Sequence, residues 1–248
     1  MQSTNIRHLL HLFRIQALVI FCLAIASVHA NAQFKGKGEN YNFFDFQSKP
    51  YYFGITLAYN TSNFRPFRSE EFIYNDSIQT INSLRGPGFN LGIVTNLKMG
   101  KYFDFRFLPT LSFTERNLNY NQDAVAGVRR QRTVESVFVE LPFHLRYKSE
   151  PYKDRRLFVI AGIKYGFDVA SDSRTKQAET LVKISPTDFA IEYGAGVQFF
   201  FPYFIFSPEF KVSHGIGNTL IFNPNLQEST VLEKVLSRTF TLSLHFEG

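Results

Sequence analysis

Apolar and polar residues alternate with a period of two along eight segments of the chain, and this pattern constrains the fold more than any other feature. In KYFDFRFLPTLSF, residues 101–113, the alternate positions Phe103, Phe105 and Phe107 are aromatic, and Asp104 and Arg106 lie between them. Successive side chains leave opposite faces of a strand, so this period predicts β-strands. The segments span residues 50–60, 89–99, 101–117, 136–148, 157–169, 188–200, 203–214 and 238–246.

The connections between these segments alternate in length. Four are long, and the intervening ones are short turns such as Phe201-Pro202. This alternation predicts an antiparallel up-and-down meander with turns at one end and loops at the other. Because eight is an even number, both ends of the meander lie at the end with the turns. The long connections are expected to be loops over 61–87, 118–132, 170–187 and 215–237.

The two faces of the strands decide between a soluble and a membrane barrel. A soluble barrel or sandwich buries its apolar face. Here the apolar face is broad on all eight segments, whereas the other mixes glycines with single charges, as in Gly162, Lys164, Gly166 and Asp168. Small residues and charges suit a narrow lumen. We therefore predict an all-β fold, an eight-stranded antiparallel up-and-down transmembrane β-barrel over residues 50–248. A soluble lipocalin-like barrel or a two-sheet sandwich is the alternative.

Strand length agrees with a membrane-spanning role. Phe103 to Phe113 is a stretch of about 33 Å at the usual rise of a strand. Tilted by about 40–45°, it spans roughly 25 Å, the height of the apolar band of an outer-membrane barrel.

The N-terminal segment is typical of a secretory signal. Two arginines precede the apolar run IQALVIFCLAIASV, and Ala30-Asn31-Ala32 follows it. This order predicts a signal peptide over 1–32 with cleavage after Ala32, or after Ala30 as a second site. An uncleaved anchor is the alternative. Residues 33–49 are predicted to form a flexible N-terminal arm. The expected location is the outer membrane of a Gram-negative cell.

Charge and cysteine content narrow the classes of partner. Cys22 is the single cysteine, so the expected mature chain has no disulfide. The net charge of +6 falls to about +4 without residues 1–32. The basic residues are spread along the chain, so nucleic acid is not an expected partner.

The predicted inward face carries nearly balanced charges. Six basic and five acidic groups fall there, so we expect ion pairs to fill a lumen without an open pore. A path for protons or ions is the alternative. Glu140 is expected to pair with Arg106 or Arg146. The predicted lumen charge network comprises Arg106, Glu140, Arg146, Glu192, Glu209 and Lys211.

Two further groups of residues are predicted to contact the membrane. Arg129, Arg130 and Arg132 lie in a predicted extracellular loop and are candidate lipopolysaccharide contacts, with a solvated basic loop as the favoured alternative. The C-terminal strand SRTFTLSLHFEG is typical of a signal read by outer-membrane assembly machinery, a predicted partner. A periplasmic aromatic girdle is predicted at Tyr51, Tyr102, Tyr147, Phe199, Tyr203 and Phe246.

Catalysis has weak support in the sequence. His144 could join Ser112 or Ser207 and a glutamate, but Glu140 is four residues away on the same strand, about 13 Å. No metal-ligand spacing, phosphate-binding glycine motif or nucleophile elbow occurs. We therefore expect no catalytic, cofactor-binding or metal site. A lipid-modifying outer-membrane enzyme is the less favoured alternative.

Several blocks resemble the PorT family of outer-membrane barrels. They are KPYYFGITLAYN, GFNLGIVTNLKMGKYFDFRFLPTLSFTERNL, VELPFHLRYKS, EYGAGVQFF with SPEFKVSHG, and SRTFTLSLHFE. The resemblance runs from about Pro50 to Glu247. It implies a non-enzymatic outer-membrane protein that is required for, or part of, type IX protein secretion and gliding motility, with secretion-system proteins as partners. A structural or adhesion-type surface barrel is the alternative.

Overall fold

The strands form a closed antiparallel ring. The computed structural model describes residues 42–74, 78–122, 129–169, 183–224 and 226–248. Its strands are β1 (Tyr51–Arg68), β2 (Ile78–Lys98), β3 (Phe103–Phe107), β4 (Thr110–Gln122), β5 (Arg129–Lys148), β6 (Arg155–Asp168), β7 (Lys183–Ile184), β8 (Thr187–Phe200), β9 (Ile205–Gly215), β10 (Leu220–Ile221) and β11 (Leu232–Glu247).

The ring has eight strand positions, which we call staves. There are eight and not nine because β3 and β4 follow each other in one position, between β2 and β5. The order around the ring is β1, β2, β3/β4, β5, β6, β8, β9 and β11, and β11 pairs back to β1. The predicted eight-stranded up-and-down barrel is confirmed. The short strands β7 and β10 pair separately. Three short helices complete the description: α1 (Phe43–Gln47), α2 (Glu71–Tyr74) and α3 (Gln227–Thr230).

The faces are inverted relative to a soluble barrel. On β3, Phe103 and Phe105 are 42% and 40% exposed, whereas Asp104 and Arg106 are fully buried. The same alternation holds on the other staves, where the outward residues are large and apolar. This is the arrangement that lipid requires, with apolar side chains outside and polar side chains inside.

Short turns join the staves at one end, which we call the turn end. They lie at Gly100, at 149–154 and at 201–204. Gly100 has φ +109°, a left-handed conformation that glycine adopts without strain. At the opposite end, which we call the hairpin end, the pairs β1–β11, β2–β4 and β4–β5 continue well past the apolar positions.

The predicted long loops are therefore shorter than expected. Residues 61–68 and 78–87 belong to β1 and β2, and β11 begins six residues before Arg238. These extensions were not predicted because several of their outward positions, such as Asn63, Arg65 and Arg85, are polar. The alternation therefore fades while the backbone ladder continues. Part of the expected loop over 170–187 lies outside the described residues.

An apolar cluster fills the interior at the hairpin end. Arg116 lies beneath it, with its guanidinium carbon 5.3 Å from the ring centroid of Phe64. The cluster closes this end of the lumen. Its buried members are Phe64, Ile78, Ile81, Leu220, Val231, Leu232 and Val235.

Helix α1 closes the turn end, and this differs from the flexible arm expected over 33–49. Phe43 and Phe46, three residues apart, share one helix face and are buried. Their ring centroids lie 5.1 and 6.2 Å from that of Phe200. The Phe43 amide donates to Asp154 Oδ1 at 3.3 Å, which ties the helix to the turn after β5. Residues 1–41, including the predicted signal peptide, lie outside the described residues.

Among the described residues, no helix combines the length and apolar character needed to cross a membrane.

Removing the buried rings of α1 tests its role as a plug. We expect Phe43→Ser with Phe46→Ser to lower the free energy of unfolding by roughly 2–4 kcal/mol, because two buried rings are lost. The chain has no tryptophan, so far-UV circular dichroism during urea unfolding in detergent is the measurement. Phe44→Ser is the control, because that ring on the same helix is 54% exposed. Equal effects of the two variants would contradict a docked helix.

Candidate functional site

The polar interior holds two groups of charged side chains, one near the turn end and one near mid-barrel. Strand alternation positions them, because every second residue of each stave points inward. The group near the turn end contains Arg106, Arg146, Lys148, Asp104, Glu209 and Glu247.

Arg106 bridges two staves from its position on β3. Its Nη1 donates to Glu209 Oε2 at 2.7 Å, and its Nη2 donates to Glu247 Oε1 at 2.9 Å. All three side chains are fully buried. His245 Nε2 lies 3.5 Å from the same Glu209 oxygen. Arg106 thus holds β3 against β9 and β11 across the lumen.

Arg146 on β5 engages the next carboxylates. Its Nη2 donates to Asp104 Oδ2 at 2.6 Å and to Asn96 Oδ1 at 3.0 Å. Its Nη1 lies 3.7 Å from Glu247 Oε2, and Lys148 also donates to Asp104. Three cations therefore face three carboxylates in this group. Such balance is what a dry interior requires, since an unpaired buried charge is costly.

The mid-barrel group is centred on Glu192 of β8. Its Oε2 lies 2.7 Å from His144 Nε2 and 3.5 Å from Lys211 Nζ, and its Oε1 lies 3.5 Å from Lys164 Nζ. Lys164 also donates to Glu140 at 2.9 Å. Two lysines thus meet two glutamates beside a buried histidine.

The structure places all six residues of the predicted network in the lumen, in separate clusters. It brings Arg106 to Glu209 and Glu192 to Lys211. Glu140 pairs with Lys164, so its expected pairing with Arg106 or Arg146 was wrong. The register explains this, because Glu140 lies opposite Gly166, two residues from Lys164 on the neighbouring strand.

Some charged members of the interior were not predicted from the sequence. Glu247 lies one residue beyond the last predicted segment, 238–246, and continues the inward alternation of Ser243 and His245 on β11. That alternation was the signal that could have identified it. Arg116 and Asp188, 3.9 Å apart near the hairpin end, were likewise absent from the predicted network.

Two of the candidate catalytic side chains have partners within the polar interior. His144 contacts Glu192, and Ser112 Oγ donates to Asn90 Oδ1 at 2.8 Å. The described residues contain no cluster of three or more His, Cys, Asp or Glu side chains able to hold a metal ion. The geometry near His144 is therefore that of a packed polar interior.

The residues of the predicted aromatic girdle all lie towards the turn end. Tyr203 and Tyr51 are exposed, and the ring centroids of Tyr102 and Tyr147 are 6.4 Å apart. Phe246 lies 5.2 Å from Phe206. These rings form a band around the outside of the wall.

Arg129, Arg130 and Arg132 occupy the beginning of β5, where β4 pairs with them, and not a loop as expected. In the backbone register, position 120 pairs with position 130, and position 118 pairs with position 132. Their contact with lipopolysaccharide stays a prediction.

A pocket of about 230 Å³ lies between α1 and the charged group at the turn end. Its lining includes the aromatic residues Phe43, Phe46 and Phe200 and the cations Lys98 and Arg156. Lys101 and Glu150 also line this pocket, and Lys101 Nζ lies 2.7 Å from Glu150 Oε1. The contacts of Glu150 with Lys101 and Tyr102 lower the pKa of this carboxyl.

Comparison with known proteins identifies the class. The model of the family described as "Outer membrane protein beta-barrel domain" matches residues 31–220. The chain belongs to this family. A search of curated proteins found no match.

Solved outer-membrane barrels are similar at low identity. The attachment invasion locus protein Ail of Yersinia pestis is 14% identical with a TM-score of 0.35, over 81% of this chain and 100% of that chain. Neisserial surface protein A is 10% identical with a TM-score of 0.42, over 80% and 97%. OprG of Pseudomonas aeruginosa is 7% identical with a TM-score of 0.46, over 80% and 95%.

The family places the chain in the outer membrane, which confirms the expected location. In such barrels the short turns face the periplasm, so the turn end is the periplasmic side and the hairpin end the extracellular side. Cleavage after Ala32 stays a prediction.

Removing Glu247 tests the charged group. We expect Glu247→Ala to lower the free energy of unfolding by about 3 kcal/mol, because Arg106 and Arg146 each lose a buried carboxylate. Urea unfolding in detergent is the measurement. Glu150→Ala, which breaks the exposed pair with Lys101, should change stability little. A loss no larger than that of Glu150→Ala would contradict the interior pairing.

Proposed function

We propose that this barrel acts, without catalysis, as an outer-membrane part or maturation aid of type IX protein secretion. The resemblance of residues 50–247 to PorT-type barrels supports this proposal. Gliding motility that depends on the same secretion pathway would be a consequence.

The observation that carries the proposal is the filled lumen. Apolar residues close both ends, at α1 and at the cluster around Phe64, and the charged groups fill the middle. An interior packed in this way has no room for a polypeptide in transit. The barrel therefore contributes to export through its surfaces.

The periplasmic surface is our proposed contact with secretion proteins. Phe44 on α1 and Tyr152 in the turn before β6 are 54% and 68% exposed on this side. Cations line the adjacent pocket, among them Lys98 and Arg156. Aromatic and cationic groups together favour a partner segment with acidic and apolar residues.

The alternative, a structural or adhesion-type surface barrel, predicts a different active surface. An adhesin works through its extracellular side, where Ile73 on α2 is 78% exposed. The two proposals therefore differ in which end of the barrel matters.

A deletion strain complemented with surface variants tests the proposal. We expect deletion to retain cargo proteins in the periplasm and the wild-type gene to restore their export. Phe44→Ser with Tyr152→Ser should fail to restore it while the barrel still reaches the membrane. Ile73→Ser, on the extracellular side, is the matched control and should restore it.

Normal cargo export in the deletion strain would exclude the secretion role. The adhesion-type alternative predicts that the deletion strain loses only surface attachment. Phe44→Ser with Tyr152→Ser should then restore attachment, and Ile73→Ser should not. A change in lipid A structure alone would indicate an enzyme.

A further inference from the structure

Four basic side chains face outward at the hairpin end, in two pairs that each share one aromatic ring. The guanidinium carbons of Arg85 and Arg238 lie 4.8 and 5.6 Å from the ring centroid of Phe240. Arg65 and Lys234 lie 5.1 and 4.6 Å from that of Phe67. We call Arg65, Arg85, Lys234 and Arg238 the outer basic patch.

The patch is contiguous because its residues lie on three adjacent staves. Arg238 on β11 faces Asn63 on β1, and Lys234 faces Phe67. Arg85 lies on β2, the other neighbour of β1. On the far side of β11, His214 faces Arg238 and extends the row. Pairing of the strands therefore fixes these side chains on one part of the wall.

The patch begins where the apolar band ends. On β11 the outward residues Phe240, Leu242 and Leu244 follow Arg238, and on β2 the exposed ring of Phe89 lies four residues from Arg85. A cation on the lipid face is expensive at the bilayer centre and tolerated near the interface. The patch thus lies at the height of the lipid headgroups of the outer leaflet.

In the described part of the chain, no carboxylate forms an ion pair with any member of the patch. Glu115 on β4 also faces outward nearby. Asn117 donates to that Glu115 at 2.8 Å. The Nε of Arg238 is buried without a hydrogen-bond partner. Two like charges on one ring repel each other unless an anion lies between them. The arrangement therefore calls for an anion from outside the chain.

We propose that the outer basic patch binds the phosphate groups of lipopolysaccharide, with the acyl chains lying along the apolar band below. Guanidinium groups match phosphate oxygens with paired hydrogen bonds. The extracellular leaflet supplies a phosphorylated glycolipid at this height. The site differs from the candidate contacts Arg129, Arg130 and Arg132, which lie on β5, and it does not depend on the export role.

The opposite end of the wall offers a matched control. Arg155 on β6 also faces outward, with its guanidinium carbon 5.9 Å from the ring of Phe199. It is a single arginine on a single ring at the periplasmic side. Arg155→Gln therefore removes one cation of the same geometry outside the patch.

Binding of purified lipid A to the full barrel in detergent tests the proposal, with native mass spectrometry as the measurement. Arg85→Gln with Arg238→Gln should weaken binding about tenfold or more, because two charge-assisted contacts are lost. Arg155→Gln should bind as the wild type does. Lipid A stripped of phosphate should bind the wild type as weakly as lipid A binds the double variant.

Several results would overturn the assignment. They are unchanged lipid A binding by the double variant, an equal loss in Arg155→Gln, or equal binding of phosphatidylglycerol by the wild type. All variants must show the mobility shift on heating in SDS that marks a folded barrel. If the double variant does not fold, Arg65→Gln with Lys234→Gln, the upper pair of the patch, should give the same loss.

Discussion

The pairing of β1 with β11 is the interaction on which the rest of the structure depends. It runs from Gly54 opposite Glu247 to Arg68 opposite Leu232 and leaves the ring without a free edge. Lipid offers no partner for an exposed amide or carbonyl, so only a closed sheet can span it. The approach is close, since a Cβ on Gly54 would lie 2.2 Å from the carbonyl oxygen of Phe246. The same pairing brings Glu247 to Arg106 and Arg146, so closure and the interior charges support each other.

Closure also determines what the interior can do. An eight-stranded barrel is about wide enough to be filled by its own side chains. Here the filling has three layers, namely the rings of α1, the paired charges and the apolar cluster around Phe64. Because the interior is occupied, interaction with other molecules is left to the outer surfaces. The extracellular wall offers cations to lipid, and the periplasmic end offers aromatic and basic groups to proteins.

Period-two patterning was sufficient to predict the barrel and the orientation of residues such as Phe105 and Arg106. It could not identify partners across the lumen, because pairing depends on stagger between strands, as the contact of Glu140 with Lys164 illustrates. It also missed α1, since Phe43 and Phe46 form too short an apolar pattern to show helical periodicity. The extended ends of β1 and β2 were missed because Arg65 and Arg85 interrupt the apolar face without ending the strands.

Cysteine labelling on either side of one strand tests the inverted, filled barrel most directly. Cys22 is the chain's single cysteine, so Cys22→Ser gives a background for Leu242→Cys, on the exposed face, and Ser243→Cys, on the buried face. In intact outer membranes, a lipid-soluble maleimide should label position 242, and a water-soluble maleimide should label neither position until the barrel is boiled in SDS. Labelling of position 243 by the water-soluble reagent in the folded protein would reveal a water-filled lumen and contradict the account.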